Sequence, residues 1–327
     1  MKIVTSTVFF FFLAGIAALS IVYALQFAVD TSQYVVRMWS ETENYMTSVE
    51  RVVKYSQIEQ EPGYQNQRQP PEHWPQHGKV QIKDLELVYY QGGSKILQGV
   101  TFTINPHEKV GVVGRTGAGK SSLIAALFRM PQPTGYVIID DVNVNDVNIQ
   151  SSRRAMAVIT QNPVLFTGTL RMNLDPFEEH EDKEIWNALK DASLGAMAKN
   201  LPLQLNQLVK ESGSNFSTGE RQLLCLARAL LRKNKIIVLD EATANVDHKT
   251  DQLIQETIRT KFKRCTVITV AHRLNTIMDY DRILVLDHGR VVEYDKPEIL
   301  LQNEEGHFTK LCRKYADDNS DQYQSEN

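Results

Sequence analysis

Cysteine is scarce and scattered: Cys225, Cys265 and Cys312 are the three in 327 residues, each alone within or beside an apolar run. That spacing excludes a disulfide framework and a cysteine metal cluster, and it suits reduced thiols in a cytosolic domain. Excess charge of one sign is missing too, with 36 Lys+Arg against 39 Asp+Glu and a formal net charge of -3. A near-neutral chain offers no electrostatic footprint for DNA or RNA, so no nucleic acid is expected as a partner. Long apolar runs are absent except at the amino terminus, and no coiled-coil insertion interrupts the rest.

The amino terminus is different in kind. No charged residue occurs between Lys2 and Asp30, and Val8 to Val29 is almost wholly apolar. At about 1.5 Å per residue that run reaches about 33 Å, against about 30 Å for a bilayer's hydrocarbon core. A secretory signal peptide is the rival reading, but the run exceeds the usual apolar core of about 7–15 residues, so a membrane span is favoured. From Asp30 to Ser56 the apolar positions Val35, Met38, Trp39, Tyr45, Met46, Val49, Val52 and Val53 recur at helical spacing, which predicts an amphipathic continuation. An ordinary surface helix shows the same periodicity. Residues 58–78 then hold Pro62, Gly63, Pro70, Pro71 and Pro75 among Gln, Asn and Glu, the composition of an extended linker.

The most informative stretch is Gly114-Arg115-Thr116-Gly117-Ala118-Gly119-Lys120-Ser121-Ser122, which satisfies G-x-x-x-x-G-K-[ST]. A polyphosphate is cradled by backbone N–H groups, so the loop must turn tightly and approach without Cβ clashes, hence the recurring glycines. Lys120 supplies positive charge, Ser121 offers a hydroxyl to a metal, and the helix expected over Lys120 to Arg129 points its positive end at the phosphates. Lys109 to Val113 reads as the strand that must precede such a loop. The ligand implied is ATP or another nucleoside triphosphate with Mg²⁺.

Ile236-Ile-Val-Leu-Asp240-Glu241 reads as an apolar strand ending in two acids. Beside a phosphate loop the pair divides the work: Asp240 holds Mg²⁺ or its water shell, and Glu241 polarises the attacking water. Gln161 follows the expected strand Met156 to Thr160, and His272 follows Thr266 to Val270. Both fall just past carboxyl ends of strands, where open α/β sheets bind ligands, although either alone reads equally as a polar loop residue.

Ser212-Gly-Ser-Asn-Phe216-Ser217-Thr218-Gly219-Glu220-Arg221-Gln222 resembles the signature motif of ABC ATPases, L-S-G-G-Q in its common form. The order of phosphate loop, Gln, signature, strand-end acids, Ala-Asn-Val-Asp247 and His is that superfamily's order. More narrowly, these segments with Ala271-His-Arg-Leu-Asn-Thr276 are similar to the second nucleotide-binding domain of subfamily C, the multidrug resistance-associated proteins, over about residues 15 to 315. The resemblance implies that Gln161 and Asp240 join Ser121 around Mg²⁺, that Asp247 reports across a domain dimer, and that His272 contacts the γ-phosphate. It places Tyr89 against adenine; Tyr90 is the rival, and the alternation Val80, Ile82, Leu85, Leu87 does not settle which ring faces the base. It implies that Ser217 and Gly219 serve a nucleotide held by a partner domain.

This sequence departs from the common signature at Thr218 and Glu220, and a carboxylate near a partner's phosphates is expected to weaken closure. The resemblance implies an α/β P-loop ATPase of the ABC type: a core with an antiparallel β subdomain over 79–316, an inserted helical signature subdomain at about 166–232, and one transmembrane helix with its extension over 1–57. A polar tail over 317–327 is expected to be disordered. Catalysis is expected from Lys120, Gln161, His272 and Mg²⁺ acting on phosphate charge, with Glu241 aligning water. The implied partners are a first nucleotide-binding domain, the membrane domains of a full transporter and the lipid bilayer. The ATPase domain is expected to be cytosolic, at the plasma membrane, and the activity to be export of organic anions or drugs. Alternatives are a regulatory or channel-gating module of the same subfamily, a non-transporting truncated product, or a soluble ABC ATPase. A single membrane helix and a Phe-rich start at Met1 to Ala14 that matches the family poorly suggest a carboxy-terminal fragment.

Overall fold

The computed structural model describes residues 2–66, 68–90, 92–240, 246–271 and 273–315. Glu241, His272 and the tail 317–327 lie outside the described residues. The chain divides into two compact units, residues 1–61 and 62–327.

The first unit is one helix, α1 (Lys2–Ser56). It contains no proline, and its hydroxyls bond to carbonyls four residues back: Ser20 donates to Ile16 O, Thr31 to Phe27 O and Ser32 to Ala28 O. Such pairing satisfies the Ser20, Thr31 and Ser32 hydroxyls within the helix, which suits an apolar surrounding. Phe9 to Val29 expose their apolar side chains, and by length and composition α1 is able to cross a membrane. Span and extension form one helix, because nothing between Val29 and Ser56 breaks the backbone pattern.

The second unit runs β1 (Val80–Leu87), β2 (Leu97–Ile104), β3 (Lys109–Val113), α2 (Lys120–Leu127), β4 (Thr134–Ile139), β5 (Val142–Asn143), α3 (Ile149–Arg154) and β6 (Met156–Ile159). There follow β7 (Gly168–Thr169), α4 (Leu170–Leu174), α5 (Asp182–Asp191), α6 (Gly195–Asn200), β8 (Leu208–Val209) and α7 (Thr218–Arg232). The chain ends with β9 (Ile236–Asp240), α8 (His248–Thr260), β10 (Thr266–Val270), β11 (Arg282–Asp287), β12 (Arg290–Asp295) and α9 (Pro297–Gln302), then a helical stretch over 307–315.

Six strands form one sheet in the order β12-β11-β3-β10-β9-β6, parallel except for β12. Its central strands read as continuous apolar runs because both faces are covered. Alternation sorts them: Ile237 and Leu239 face a core shared with α5, α7 and α8, whereas Ile236 and Val238 face a second core. That second core packs α2, through Leu123, Ile124 and Leu127, between the parallel sheet and an antiparallel sheet of order β2-β1-β4-β5. The helical part, α4 to α7, is inserted between β6 and β9. Helix α2 is shorter than its apolar run suggests, because Arg129 turns left-handed (φ 57°) directly after the Phe128 cap.

The segment that reads as an open linker is tied down from Pro62 onward. Arg129 donates to Pro62 O at 3.0 Å, Asn148 Nδ2 to Tyr64 O at 2.9 Å, and Trp74 Nε1 to Ile139 O at 2.8 Å. Asp140 accepts the backbone N–H groups of His77, Gly78 and Lys79 at 2.8, 3.0 and 2.8 Å. Burial alone would raise this carboxyl's pKa, but the donors from Gly78, His77, Lys79 and Gln76 outweigh it and hold it below the usual value. A depressed carboxylate pKa contributes stability above the unfolded-state value, and that contribution is lost as pH falls through the folded value. Asp140→Asn, which keeps one acceptor oxygen against three donors, is expected to cost about 1–3 kcal/mol in urea unfolding at neutral pH. The gap between the two proteins should begin to narrow once pH drops below about 3.9, the ordinary Asp value, and close as pH falls through the lower folded value; a gap that persists undiminished at pH 2 would refute the anchoring role.

Candidate functional site

The site is assembled at the carboxyl edge of the parallel sheet. Register places Val112 of β3 beside Val270 of β10, and Val270 beside Asp240 of β9. The phosphate loop after β3, Asp240 at the end of β9, and Gln161 two residues beyond the end of β6 therefore follow strands in the order β3, β10, β9, β6. At about 4.8 Å per strand these span about 14 Å, the scale of a triphosphate with its metal.

Within the loop, Gly114 is required by close approach: a Cβ there would sit 2.3 Å from Leu286 O. Gly119, left-handed at φ 103°, is the residue that starts α2. Helix α2 has no side-chain cap, a feature it shares with α5, α6 and α9 but not with α3, α4, α7 and α8. Its leading N–H groups are thus left for an external anion. A Cβ on Gly117 would meet no atom within 4 Å, so the loop's outer side is open to a ligand. Arg115, Thr116 and Ser121 are exposed, while Ala118, Gly119, Lys120 and Ser122 are buried. Lys120, 8% exposed, donates from Nζ to Gly114 O at 2.9 Å and Arg115 O at 3.3 Å, so its ammonium lies across the loop.

The side chains expected to donate to a metal are hard oxygens: the Ser121 hydroxyl, the Asp240 carboxylate and the Gln161 side-chain amide. No cluster of three or more His, Cys, Asp or Glu able to cage a metal occurs among the described residues. A sparse oxygen set fits Mg²⁺ carried in with phosphates, an ion that prefers one or two protein ligands over a full cage.

Tyr89 lies against the loop helix, its hydroxyl 3.0 Å from Ser122 Oγ, with half of its surface (49%) left open. Tyr90 is 73% exposed. The alternation could not separate them because β1 slips register between Ile82 and Leu85 and again between Leu85 and Leu87.

The signature lies elsewhere. Gln222 in α7 is 2% exposed and donates to Thr160 O at 3.1 Å, fixing the start of α7 beside the end of β6. That strand is the sheet edge three places from β3. Ser217 starts α7 with a capping box: Glu220 N donates to Ser217 Oγ at 3.2 Å, and Glu220 Oε2 accepts from Ser217 N at 2.7 Å and Ser217 Oγ at 2.9 Å. The carboxylate expected to point at a partner's phosphates is folded back on its own helix start. Asp247 caps α8, accepting from Thr250 N at 3.1 Å and Thr250 Oγ1 at 2.8 Å; these two bonds hold its carboxyl below the usual carboxylate range. The structure therefore joins Tyr89 to the loop helix, places Asp240 and Gln161 on the same edge of the sheet, and sets the signature helix beside β6, with Gly219 against Thr250 of the Asp247 turn. Sequence reasoning passed over Gln222, which is legible as a polar residue on the apolar face of α7.

A phosphate loop on β3, an acid-tipped β9 two strands away and a helical insertion between β6 and β9 define an ATPase domain of the ABC transporter class; residues 97–244 match that family. The chain belongs to sub-family C, the multidrug resistance-associated proteins. It is 51% identical over 92% of its length to ATP-binding cassette sub-family C member 4 of Homo sapiens, and 44% identical over 91% of its length to the ATP-dependent bile acid permease of Saccharomyces cerevisiae. It spans 23% and 19% of those two proteins. Its fold matches a bacterial Atm1-family ABC exporter with ATP bound, with a TM-score of 0.69 and 33% identity over 73% of this chain and 42% of that one.

If Tyr89 stacks on adenine, Tyr89→Ala should weaken ATP binding by roughly 1–2 kcal/mol while Tyr89→Trp retains most of it. Titration with a fluorescent ATP analogue checks this, and a silent Tyr89→Ala beside a damaging Tyr90→Ala would move the contact by one residue.

Proposed function

We propose that this chain binds and hydrolyses MgATP as one half of a paired nucleotide-binding unit, and that in the complete protein hydrolysis drives export of organic anions or drugs. The carrying observation is the separation of the phosphate loop at β3 from the signature beside β6. In this reading an ATP on Gly114–Ser122 is closed by the signature of another domain, as in the paired nucleotide-binding domains of the family it resembles, and not by Ser217 of the same chain. In this reading Ser217 and Gly219 face the partner's nucleotide and Asp247 lines the same seam.

The loop N–H groups and Lys120 bind and orient the β- and γ-phosphates, and Tyr89 orients the base. Ser121, Asp240 and Gln161 would hold Mg²⁺, which would supply positive charge to offset that of the phosphate oxygens. Glu241 accepts a proton from the attacking water, and His272 steadies the γ-phosphate. Helix α1 crosses the bilayer with the ATPase unit in the cytosol, the plasma membrane being the expected site. Vanadate-sensitive uptake of an organic anion into membrane vesicles containing the complete protein tests the export reading, and ATP binding without solute movement would replace it with a gating role.

Glu241→Gln should preserve ATP binding and lower turnover by about 10²–10⁴-fold, the usual worth of a positioned general base. Unchanged hydrolysis in a paired, reconstituted sample would sink that assignment. A homodimer sets Thr218 and Glu220 against both phosphate sites, so it should close poorly. In the Glu241→Gln background, Thr218→Gly with Glu220→Gln should give an ATP-dependent dimer by light scattering that the parent forms weakly; equal, strong dimers from both would remove the argument for an asymmetric partner.

A further inference from the structure

Gly219 is the second residue of α7 and its backbone is ordinary helix, so no left-handed conformation calls for glycine there. Space does. A Cβ at this position would lie 2.9 Å from Thr250 Oγ1, 3.1 Å from Thr250 Cγ2 and 3.4 Å from Thr250 Cβ, all within the same chain. Thr250 cannot swing aside at low cost. It is β-branched, with few χ1 choices in a helix, and its hydroxyl donates to Asp247 Oδ1 at 2.8 Å while its N–H donates to Asp247 Oδ2 at 3.1 Å.

Two capped helix starts therefore meet at one contact. On one side Ser217 and Glu220 close the first turn of α7; on the other Asp247 and Thr250 close the first turn of α8. Ser217 and Asp247 are both exposed, whereas Gly219 between them is buried. We infer that Thr250 is a positioning residue: it is the side chain that demands glycine at 219, and through it the signature turn and the Asp247 turn are held as one body with a fixed spacing. The glycine requirement then lies inside this chain and not at a partner's phosphate. Given the pairing proposed above, a domain that engages Ser217 would be registered at Asp247 with no intervening mobile segment, which is a physical route between the two ATP sites of a pair.

The test needs no partner, so its outcome is independent of whether the pairing is correct. Hydrogen exchange is measured on the full chain in lipid nanodiscs, following amides 218–222 and 249–252 with the phosphate loop 114–122 as reference. Gly219→Ala should speed exchange at both segments by about tenfold or more, the mark of local opening, with the reference unchanged. Thr250→Ala removes Oγ1 and Cγ2, so adding Gly219→Ala to it should change exchange by no more than about twofold. Thr250→Val keeps the branched bulk but loses the hydroxyl, and on that background Gly219→Ala should remain as damaging as in the parent. The inference fails if Gly219→Ala leaves both segments at parental rates, or harms the Thr250→Ala protein as much as the parent. Rescue by valine as complete as by alanine would make the cap, not the volume, the cause, and loss of protection throughout the chain would also count against a local contact.

Discussion

Everything in the larger unit follows from the need to hold a polyanion with backbone N–H groups. Such groups converge where a buried strand ends, the chain turns without side chains in the way, and a helix begins with its leading N–H groups uncapped. The strand β3 is flanked on both sides by parallel neighbours, and α2 is clamped between two sheets. Neither can shift without opening a core in which Leu123, Leu127, Val110 and Val112 are at most 1% exposed. The rigidity of the loop is thus borrowed from apolar packing beneath it, while the loop itself remains open.

The same sheet bears on the pairing proposed above. Parallel strands put every ligand-binding turn on one edge, but that edge extends sideways, and the helical insertion enters at its β6 end. A signature fixed there by Gln222 and Thr160 is three strands from the loop. Helix α7 is held there by the core it shares with α5 and β6, and in the pairing proposed above the lid over the loop comes from a second domain. Burying a triphosphate between domains also demands that cations outnumber anions at the seam. Lys120 and Mg²⁺ meet that demand on the loop side, whereas Glu220 adds negative charge on the signature side.

Much of this was legible in the sequence because it is local. The strands Lys109–Val113, Ile236–Asp240 and Thr266–Val270 follow from apolar runs of strand length, and the phosphate loop from its glycines. What escaped was carried by side chains bonding to backbone far away in the chain. Asp140 holds residues 77–79, Arg129 holds Pro62 and Asn148 holds Tyr64, so a segment with a linker's composition is strapped to the domain. Composition reports how a segment behaves in water, not which carboxylate waits for its amides. The choice between Tyr89, named from the resemblance, and Tyr90 stayed open to alternation for another reason: alternation is a count, and the two slips in β1 break the count before it reaches the tyrosines.

Glu220 shows how a residue type can be read correctly and its position missed. Glu220 takes the place of the common glutamine, and a carboxylate near a partner's phosphates was expected to weaken closure. A carboxylate three residues after a serine at a helix start has a nearer destination, the N–H of that serine, and the S-x-x-E spacing of Ser217 and Glu220 is the sequence mark of this box. Folding back does not remove the electrostatic consequence, because the charge then sits at the positive end of a 15-residue helix and cancels part of the field that helix would offer an anion. The Ser217 hydroxyl is drawn into the same arrangement, donating to Glu220 Oε2. To meet a phosphate it must exchange an intrachain acceptor for an external one. If closure on this signature is weak, as proposed above, a donor already engaged contributes to it beside a repulsive charge, and both trace to one residue.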